Sequence, residues 1–554
     1  MRYLHAGILS TFIIAGGIAL AGETHRTGAD SNAPEPLFDN LGSWHHRITT
    51  KVPQAQRYFD QGLRLIYAFN HEEAVRSFQE AARLDPDAAM PHWGIAYALG
   101  PNINVPMDRD QERRAAGAIE QARRLEEHAS PRERAYIAAL AKRYSTAPDA
   151  DRHALDQAYA DAMRQVYQDE PTDTDGATMY AEALMNLRPW DYWTEDGQPR
   201  PGTKDLVPVL ENVLNKNPDH PGACHYYIHA VEAWQPQRAL PCAERLPSLA
   251  PGAGHLVHMP SHIYIRLGMY DKAAERNVHA TSVDRHYLEG RPLAGPYPVG
   301  YYPHNIHFLW AAQTMQGRSA EAMKTARDLM KAISLDVMRQ VPEMESLVST
   351  PVLAMARFGD WDGIMRAAPP PDDLAYSTAI WRYARGLALT AKGQLGEARQ
   401  ERKQLDEIAA ALPKERMIGL NSARTLLTIA SHVLEGQVDA KQGRTSEAVR
   451  NLEEAVRLQD GLRYYEPPAW YYPVRESLGS VLLNAGRAPE AERVFREDLK
   501  RTPENPWSLR GLAEALRAQR SDGEAASVED RLRRASSQAD IDFKAAHSQA
   551  FLSR

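Results

Sequence analysis

Residues 55–88 read AQRYFDQGLRLIYAFNHEEAVRSFQEAARLDPDA, and the spacing of small and aromatic residues in this stretch decides the fold. Numbered from Ala55, positions 8, 20, 24, 27 and 32 hold Gly62, Ala74, Phe78, Ala81 and Pro86. The same register returns near the other end of the chain, with positions 8, 20, 24 and 32 held by Gly479, Ala491, Phe495 and Pro503. At the turn of each repeat a glycine ends one helix, and the alanine at position 20 lets the next helix approach closely. The pattern predicts antiparallel helix pairs that stack along the chain.

This spacing resembles the tetratricopeptide repeat (TPR), whose two helices meet through small residues at positions 8 and 20. Further copies of its turn and second helix begin at Gly268, Gly393 and Gly443, each followed five residues later by alanine. The resemblance covers about residues 53–535. It implies an all-α fold, a right-handed superhelical solenoid of helix–turn–helix repeats.

Two stretches interrupt the repeats, one at 189–202 and one at 289–302, and both are rich in glycine, proline and aromatic residues. We expect loop insertions here. Long loops in a repeat protein often lie over the binding face. The alternative is simple drift in sequence between neighbouring repeats.

The composition excludes several classes of protein. Of the 554 residues, 43% are apolar and 25% charged, as in soluble folded proteins. Lys and Arg number 65 against 72 Asp and Glu, and this net charge of −7 argues against nucleic acid as the partner. Two cysteines exclude a disulfide scaffold and any metal site made of cysteine alone.

The first residues have the pattern of a targeting signal. Arg2 precedes the uncharged apolar run 6–20, and Ala19 and Ala21 form a small-x-small cleavage pattern. We therefore predict a signal peptide at 1–21 and a periplasmic or secreted protein with no later membrane span. An uncleaved anchor is the alternative, although the run is shorter than the roughly 20 residues that span a bilayer. Residues 22–52 are predicted to be a polar linker and lead-in.

Ten of the 20 histidines lie between 220 and 307. In the repeat register, three successive repeats begin at 221, 254 and 303. Positions 2, 5 and 9 of these repeats, which line the concave groove in the TPR family, hold histidine in seven of nine cases: His225, His229, His255, His258, His262, His304 and His307. Residues three or four apart share a helix face, so the histidines of each repeat point the same way.

Clustered imidazoles lose their protons readily, and neutral imidazole is the commonest ligand of transition metals. Nitrogen ligands suit copper, zinc or iron and disfavour calcium and magnesium. We therefore predict a transition-metal site, and the number of histidines leaves room for two ions. The alternative is a polar groove that binds a peptide or protein partner without metal.

Three charged residues are candidates for a catalytic role beside the metal. Glu232 is seven residues after His225, and Glu182 takes position 9 of its own repeat. Either could bind the metal, orient a histidine or move protons, and the alternative is a solvated groove acid. Arg266 could receive the carboxylate of a small-molecule substrate or form a structural ion pair. Oxidation and hydrolysis both remain open as the reaction.

The chain is thus divided by prediction into N-terminal repeats (53–218), histidine-rich repeats (219–335), C-terminal repeats (336–535) and a tail (536–554). Cys224 and Cys242 fall on the two helices of one hairpin. They could form a disulfide in an exported protein, or Cys224 could be a metal ligand.

Overall fold

The computed structural model of the protein describes residues 35–291 and 295–543. This part of the chain is all-α apart from one two-stranded ribbon, which confirms the predicted fold class. The signal-peptide region 1–21 lies outside the described residues, as do 22–34 of the linker and 544–554 of the tail. Within the described ranges, no helix combines the length and the apolar character needed to cross a membrane.

Most helices contact the next helix along the chain. In the first part of the chain they are α1 (Pro53–Tyr67), α2 (His71–Leu84), α3 (Ala89–Leu99), α4 (Arg109–Arg124), α5 (Pro131–Leu140), α6 (Arg152–Asp169), α7 (Thr174–Asn186), α8 (Thr203–Lys216), α9 (Pro221–Val231), α10 (Leu240–Leu249), α11 (Gly254–His258), α12 (Pro260–Arg266) and α13 (Tyr270–Leu288). Residues 35–52 precede α1 without forming a helix.

The second part continues with α14 (Tyr302–Gln316), α15 (Ser319–Ala332), α16 (Leu335–Gln340), α17 (Thr350–Phe358), α18 (Trp361–Arg366), α19 (Ala375–Ala391), α20 (Leu395–Ala411), α21 (Ala423–Lys441), α22 (Thr445–Asp460), α23 (Val474–Asn484), α24 (Ala488–Arg501), α25 (Pro506–Ala518) and α26 (Asp522–Ala535). The ribbon pairs β1 (Met417–Ile418) with β2 (Asn421–Ser422).

The chain forms two compact units. The first contains the residues up to Ile263 together with His279–Tyr302, and the second contains Tyr264–Val278 and the residues from Pro303 onward. Each unit therefore draws on two separate stretches of sequence. The boundaries predicted at 218 and 335 divide the chain by histidine content, and they stay predictions.

The repeat positions quoted above meet in the interhelical packing. Phe78 of α2 lies against the backbone of α1 at Gly62 and of α3 at Gly94, so closely that a Cβ on either glycine would come within 2.6 Å of the ring. Phe495 of α24 has the same relation to Gly479 and Gly511. Glycine is required here because the aromatic ring occupies the space of a side chain.

Replacing Gly62 with alanine is expected to lower the free energy of unfolding by about 1–3 kcal/mol, because the added methyl group overpacks a filled core. Gly117 of α4 is the matched control, because a Cβ there would meet nothing within 4 Å. Gly117→Ala should instead stabilise the protein by about 0.5–1 kcal/mol, since alanine loses less entropy in a helix than glycine. Urea denaturation compares the two variants, and an equal effect would contradict this account of the packing.

Both predicted loop insertions are present. The first follows α7 and turns back on itself through a bridge between Trp193 and Pro199, and the Trp193 Nε1–H donates to the Ala230 carbonyl at 2.8 Å. The second follows α13 and ends in a π-helical turn, Tyr297–Tyr301, that runs into α14. The first insertion is thereby fixed against α9, which carries two of the histidines.

Candidate metal centre

Five of the predicted histidines come together in the first unit. His225 and His229 lie on α9, His255 and His258 on α11, and His262 on α12. Pro260 separates the last two helices, because proline has no N–H to continue the hydrogen-bonding pattern. The five side chains are between 0 and 3% exposed. The predicted groove positions are therefore buried in the structure.

The Nδ1 atom of three histidines already makes a hydrogen bond. Nδ1–H of His225 donates to the Tyr67 carbonyl at 2.7 Å. Glu232 bridges the other two, since Oε1 accepts from His229 Nδ1 at 2.8 Å and Oε2 from His262 Nδ1 at 2.5 Å. A neutral imidazole with its proton on Nδ1 presents a lone pair on Nε2. In each of these three rings, Nε2 is therefore the atom that a metal would bind.

The Nε2 atoms approach one another in pairs. Those of His225 and His255 are 3.2 Å apart, and those of His258 and His262 are 3.0 Å apart. Two nitrogens bound to one zinc ion at about 2.0–2.1 Å lie about 3.3 Å apart in a tetrahedral site. Ligand atoms of His225, His229 and His255 all lie within 4.8 Å of one another. The His229 Nε2 is buried with no hydrogen-bond partner in the part of the chain that the structure describes.

Burial sets the protonation of the cluster. It lowers the pKa of His225 well below the ordinary value, and the neighbouring His229 lowers it further. Burial also lowers the pKa of His229, although Glu232 opposes the shift. For Glu232 itself, burial raises the pKa, but His262 and His229 outweigh it and hold the carboxyl ionised. Neutral imidazoles beside an ionised carboxylate are the protonation states that metal binding requires.

Aromatic rings close the cluster off from solvent. Phe69 stacks on His229 and His255, and the ring of Trp190 meets His229 edge-on at 5.1 Å. Phe69 and Trp190 both adopt a positive φ, 55° and 60°, which is costly outside glycine and concentrates at functional sites. The Trp190 Nε1–H donates to Asn104 Oδ1 at 3.1 Å, so the loop insertion does lie over the histidines.

Sequence reasoning missed Phe69, because nothing local marks a phenylalanine after a helix as part of a site. Asn102 forms a turn, with Oδ1 accepting from the backbone N–H groups of Asn104 and Val105. The Asn104 side chain additionally reaches Tyr301, whose ring lies 4.8 Å from that of His255.

The other two predicted ligands, His304 and His307, lie on α14 in the second unit. His304 contacts Phe308, and His307 stacks on Trp310 with ring centroids 5.3 Å apart. Burial lowers the pKa of His307 to about 4, so this ring is neutral at pH 7. Their role as ligands stays a prediction.

The three charged candidates have different surroundings. Glu232 orients two histidines, as described. Glu182 is buried beside Asn186 and 3.8 Å from Arg143, and burial raises its pKa to about 7. Arg266 belongs to the second unit, where its guanidinium lies over the ring of Tyr464 at 5.6 Å. Glu232 hydrogen-bonds to two members of the histidine cluster.

The two cysteines are free thiols in the structure, and both are buried. A hydrogen bond with Cys242 and burial raise the pKa of Cys224 well above the ordinary value. The Cys224 Sγ lies 3.6 Å from the Pro218 carbonyl. A protonated, buried thiol in this position is a poor metal ligand.

A second polar network supports the cluster and was also missed by sequence reasoning. The buried Asp175 carboxylate accepts from His46 Nδ1 at 2.7 Å, from the Tyr67 hydroxyl at 2.6 Å and from Trp44 Nε1 at 3.1 Å. Tyr67 is the residue whose carbonyl holds His225. Asp175 and Tyr67 thereby connect the residues before α1 to the end of α1, where the Tyr67 carbonyl orients the candidate ligand His225.

Fold and site together define a helical-repeat protein with a buried histidine cluster. No family model matches the chain, and no curated protein matches it. Among solved structures, it is similar to the human IFIT1 dimer with m7Gppp-AAAA, at 13% identity and a TM-score of 0.35 over 88% of this chain and 91% of that chain. It is also similar to yeast Tom70, at 12% identity and a TM-score of 0.27 over 86% and 92% of the two chains.

Proposed function

We propose that this protein is an exported, TPR-type metalloprotein that binds copper or zinc through its buried histidine cluster. The observation that carries the proposal is the arrangement of the imidazoles. Nδ1 is engaged in His225, His229 and His262, while Nε2 atoms approach in pairs at 3.2 and 3.0 Å. The His229 Nε2 is buried without a hydrogen-bond partner among the described residues, and a cation bound there would compensate the cost of burying its lone pair.

The ligand set favours particular metals. The common non-haem iron site combines two histidines with one carboxylate oxygen. Glu232 is the carboxylate in contact with the cluster, and both its oxygens accept from Nδ1 atoms. Nitrogen ligands alone suit copper and zinc, and copper is bound more tightly than zinc by a given set of such ligands. A metal with an open position would be able to activate water or a substrate oxygen.

Elemental analysis of the mature protein, purified from the periplasm without a histidine tag or chelator, tests the proposal. We expect about one or two copper or zinc ions per chain, since a preformed histidine site binds metal tightly. The double variant His258→Ala/His262→Ala should lose much of this metal while keeping its helical circular dichroism. A double variant of the exposed His128 and His286 controls for weak surface binding.

Protein that contains neither metal, and that takes up none on reconstitution, would contradict the proposal. The protein would then be a repeat scaffold, and a peptide or protein partner would be sought instead. The metal found in a positive result selects the assay, since copper supports oxidation and zinc supports hydrolysis.

A further inference from the structure

A cavity of about 310 Å³ adjoins the histidine cluster within the first unit. Phe69 and Tyr301 border it, and the same two rings contact the cluster, with centroids 4.4 Å from His225 and 4.8 Å from His255 respectively. The two rings therefore form a wall shared by the cavity and the candidate metal site. The volume is at the lower end of the range for small-molecule sites.

The shared wall gives the cavity an aromatic character. Tyr297 lines the cavity together with Phe69 and Tyr301, and the Tyr297 hydroxyl donates a hydrogen bond to Asp284 Oδ1 at 2.8 Å. Tyr301 likewise has its hydroxyl bonded to Asn104. Since these hydroxyls are engaged, the rings offer mainly their apolar faces and edges. Such surfaces favour a planar aromatic group, which packs against them by stacking or edge-to-face contact.

The remaining wall carries charges of both signs, because Glu72 lies on it as well as Arg76 and Arg114, and Arg114 acts electrostatically on the Glu72 carboxyl. Glu72, Val75, Arg76 and Gln79 follow the spacing of one face of α2, and Arg114 of α4 joins them. Arg76 is paired with Glu73 at 2.6 Å. Arg114 makes no hydrogen bond or ion pair within the described part of the chain, and its side chain is exposed at the cavity. A guanidinium that makes no direct hydrogen bond is suited to a carboxylate, which it can bind with two parallel hydrogen bonds.

We infer that this cavity is the substrate site of the metal centre and that it takes a small aromatic carboxylate. The aromatic body packs against Phe69, Tyr297 and Tyr301, and the carboxylate pairs with Arg114. The inference rests on the proposed metal binding, because the substrate is placed there by its closeness to the histidine cluster.

Nuclear magnetic resonance with benzoate as the probe and neutral benzamide as its matched control tests the inference on the full chain, loaded with Cu²⁺ or with Zn²⁺. Benzoate should bind more tightly than benzamide. Its protons should relax markedly faster in the copper-loaded than in the zinc-loaded protein, because Cu²⁺ is paramagnetic and Zn²⁺ is not. Arg114→Gln should weaken benzoate binding about tenfold and leave benzamide binding unchanged.

Arg113→Gln is the control for Arg114→Gln, because Arg113 is the preceding residue and pairs with Asp110 on the surface. It should change neither affinity. Equal binding of the two probes, or benzoate binding that survives Arg114→Gln, would overturn the inference. So would unaltered benzoate relaxation in protein that elemental analysis shows to be loaded with copper.

The metal content of the same samples separates this inference from the proposed function. Protein that holds no copper or zinc, yet binds benzoate through Arg114, would overturn the proposed metal binding while supporting the cavity as a carboxylate site. Protein that holds the metal but does not bind benzoate would support the metal site and overturn the assignment of the cavity as a carboxylate site.

Discussion

Replacing Glu232 with glutamine is expected to lower the affinity for copper or zinc by about 10- to 100-fold, the usual effect of losing a carboxylate behind metal-binding histidines. The carboxylate accepts hydrogen bonds from the Nδ1–H groups of His229 and His262. A glutamine side chain has one oxygen, and its amide nitrogen is a donor. One histidine would then have to carry its proton on Nε2 instead of Nδ1, and that Nε2 would no longer bind the metal.

Competition with a chromophoric chelator measures this affinity. Glu211→Gln is the matched control, since Glu211 lies on the neighbouring α8 and contacts Tyr227 and Arg238 rather than the cluster. Circular dichroism of both variants without metal excludes unfolding as the cause. An unchanged affinity in Glu232→Gln would show that this carboxylate does not position the ligands.

Arg357→Met is expected to lower the free energy of unfolding by about 3–5 kcal/mol, because it leaves a buried carboxylate without its partner. Arg357 of α17 is fully buried within the second unit. Its two terminal nitrogens donate to Glu476 of α23 at 2.5 and 3.2 Å, and its guanidinium lies over the ring of Trp507 at 3.9 Å. Methionine keeps most of the packing but removes the charge.

The double variant Arg357→Met/Glu476→Gln should recover much of this loss, because no buried charge is then left unpaired. Arg339 and Asp373 form an exposed pair in the same unit, and Arg339→Met should destabilise the protein much less than Arg357→Met, because solvent screens an exposed ion pair. Urea denaturation of the three variants makes the comparison. Equal losses for Arg357→Met and Arg339→Met would contradict the importance given to burial.

The repeat architecture could be predicted because its determinants are local. Gly62, Phe78 and their counterparts Gly479 and Phe495 recur at fixed spacing, and the same residues meet in the structure. The division into two units could not be predicted in this way. It depends on contacts between distant segments, such as the Tyr270 hydroxyl donating to the Pro503 carbonyl.

The clustering of the histidines was predictable from the sequence, but the surroundings of the cluster were not. Helical spacing brought His225 and His229 to one face, and the same spacing placed Glu232 three residues after His229. The contact of Glu232 with His262 depends on how α9 packs against α12, which sequence spacing does not specify. Burial of the cluster depends on Phe69 and Trp190, whose backbone conformations follow from tertiary contacts.

The interleaving of the two units has a consequence for the order in which the protein is made. Residues 279–302 complete the first unit, and they include Tyr297 and Tyr301. Synthesis reaches them only after residues 264–278, which belong to the second unit. The first unit therefore cannot complete its folding while only the residues up to Ile263 have been synthesised. A fragment that stops at Ile263 would contain all five clustered histidines but lack Tyr297 and Tyr301.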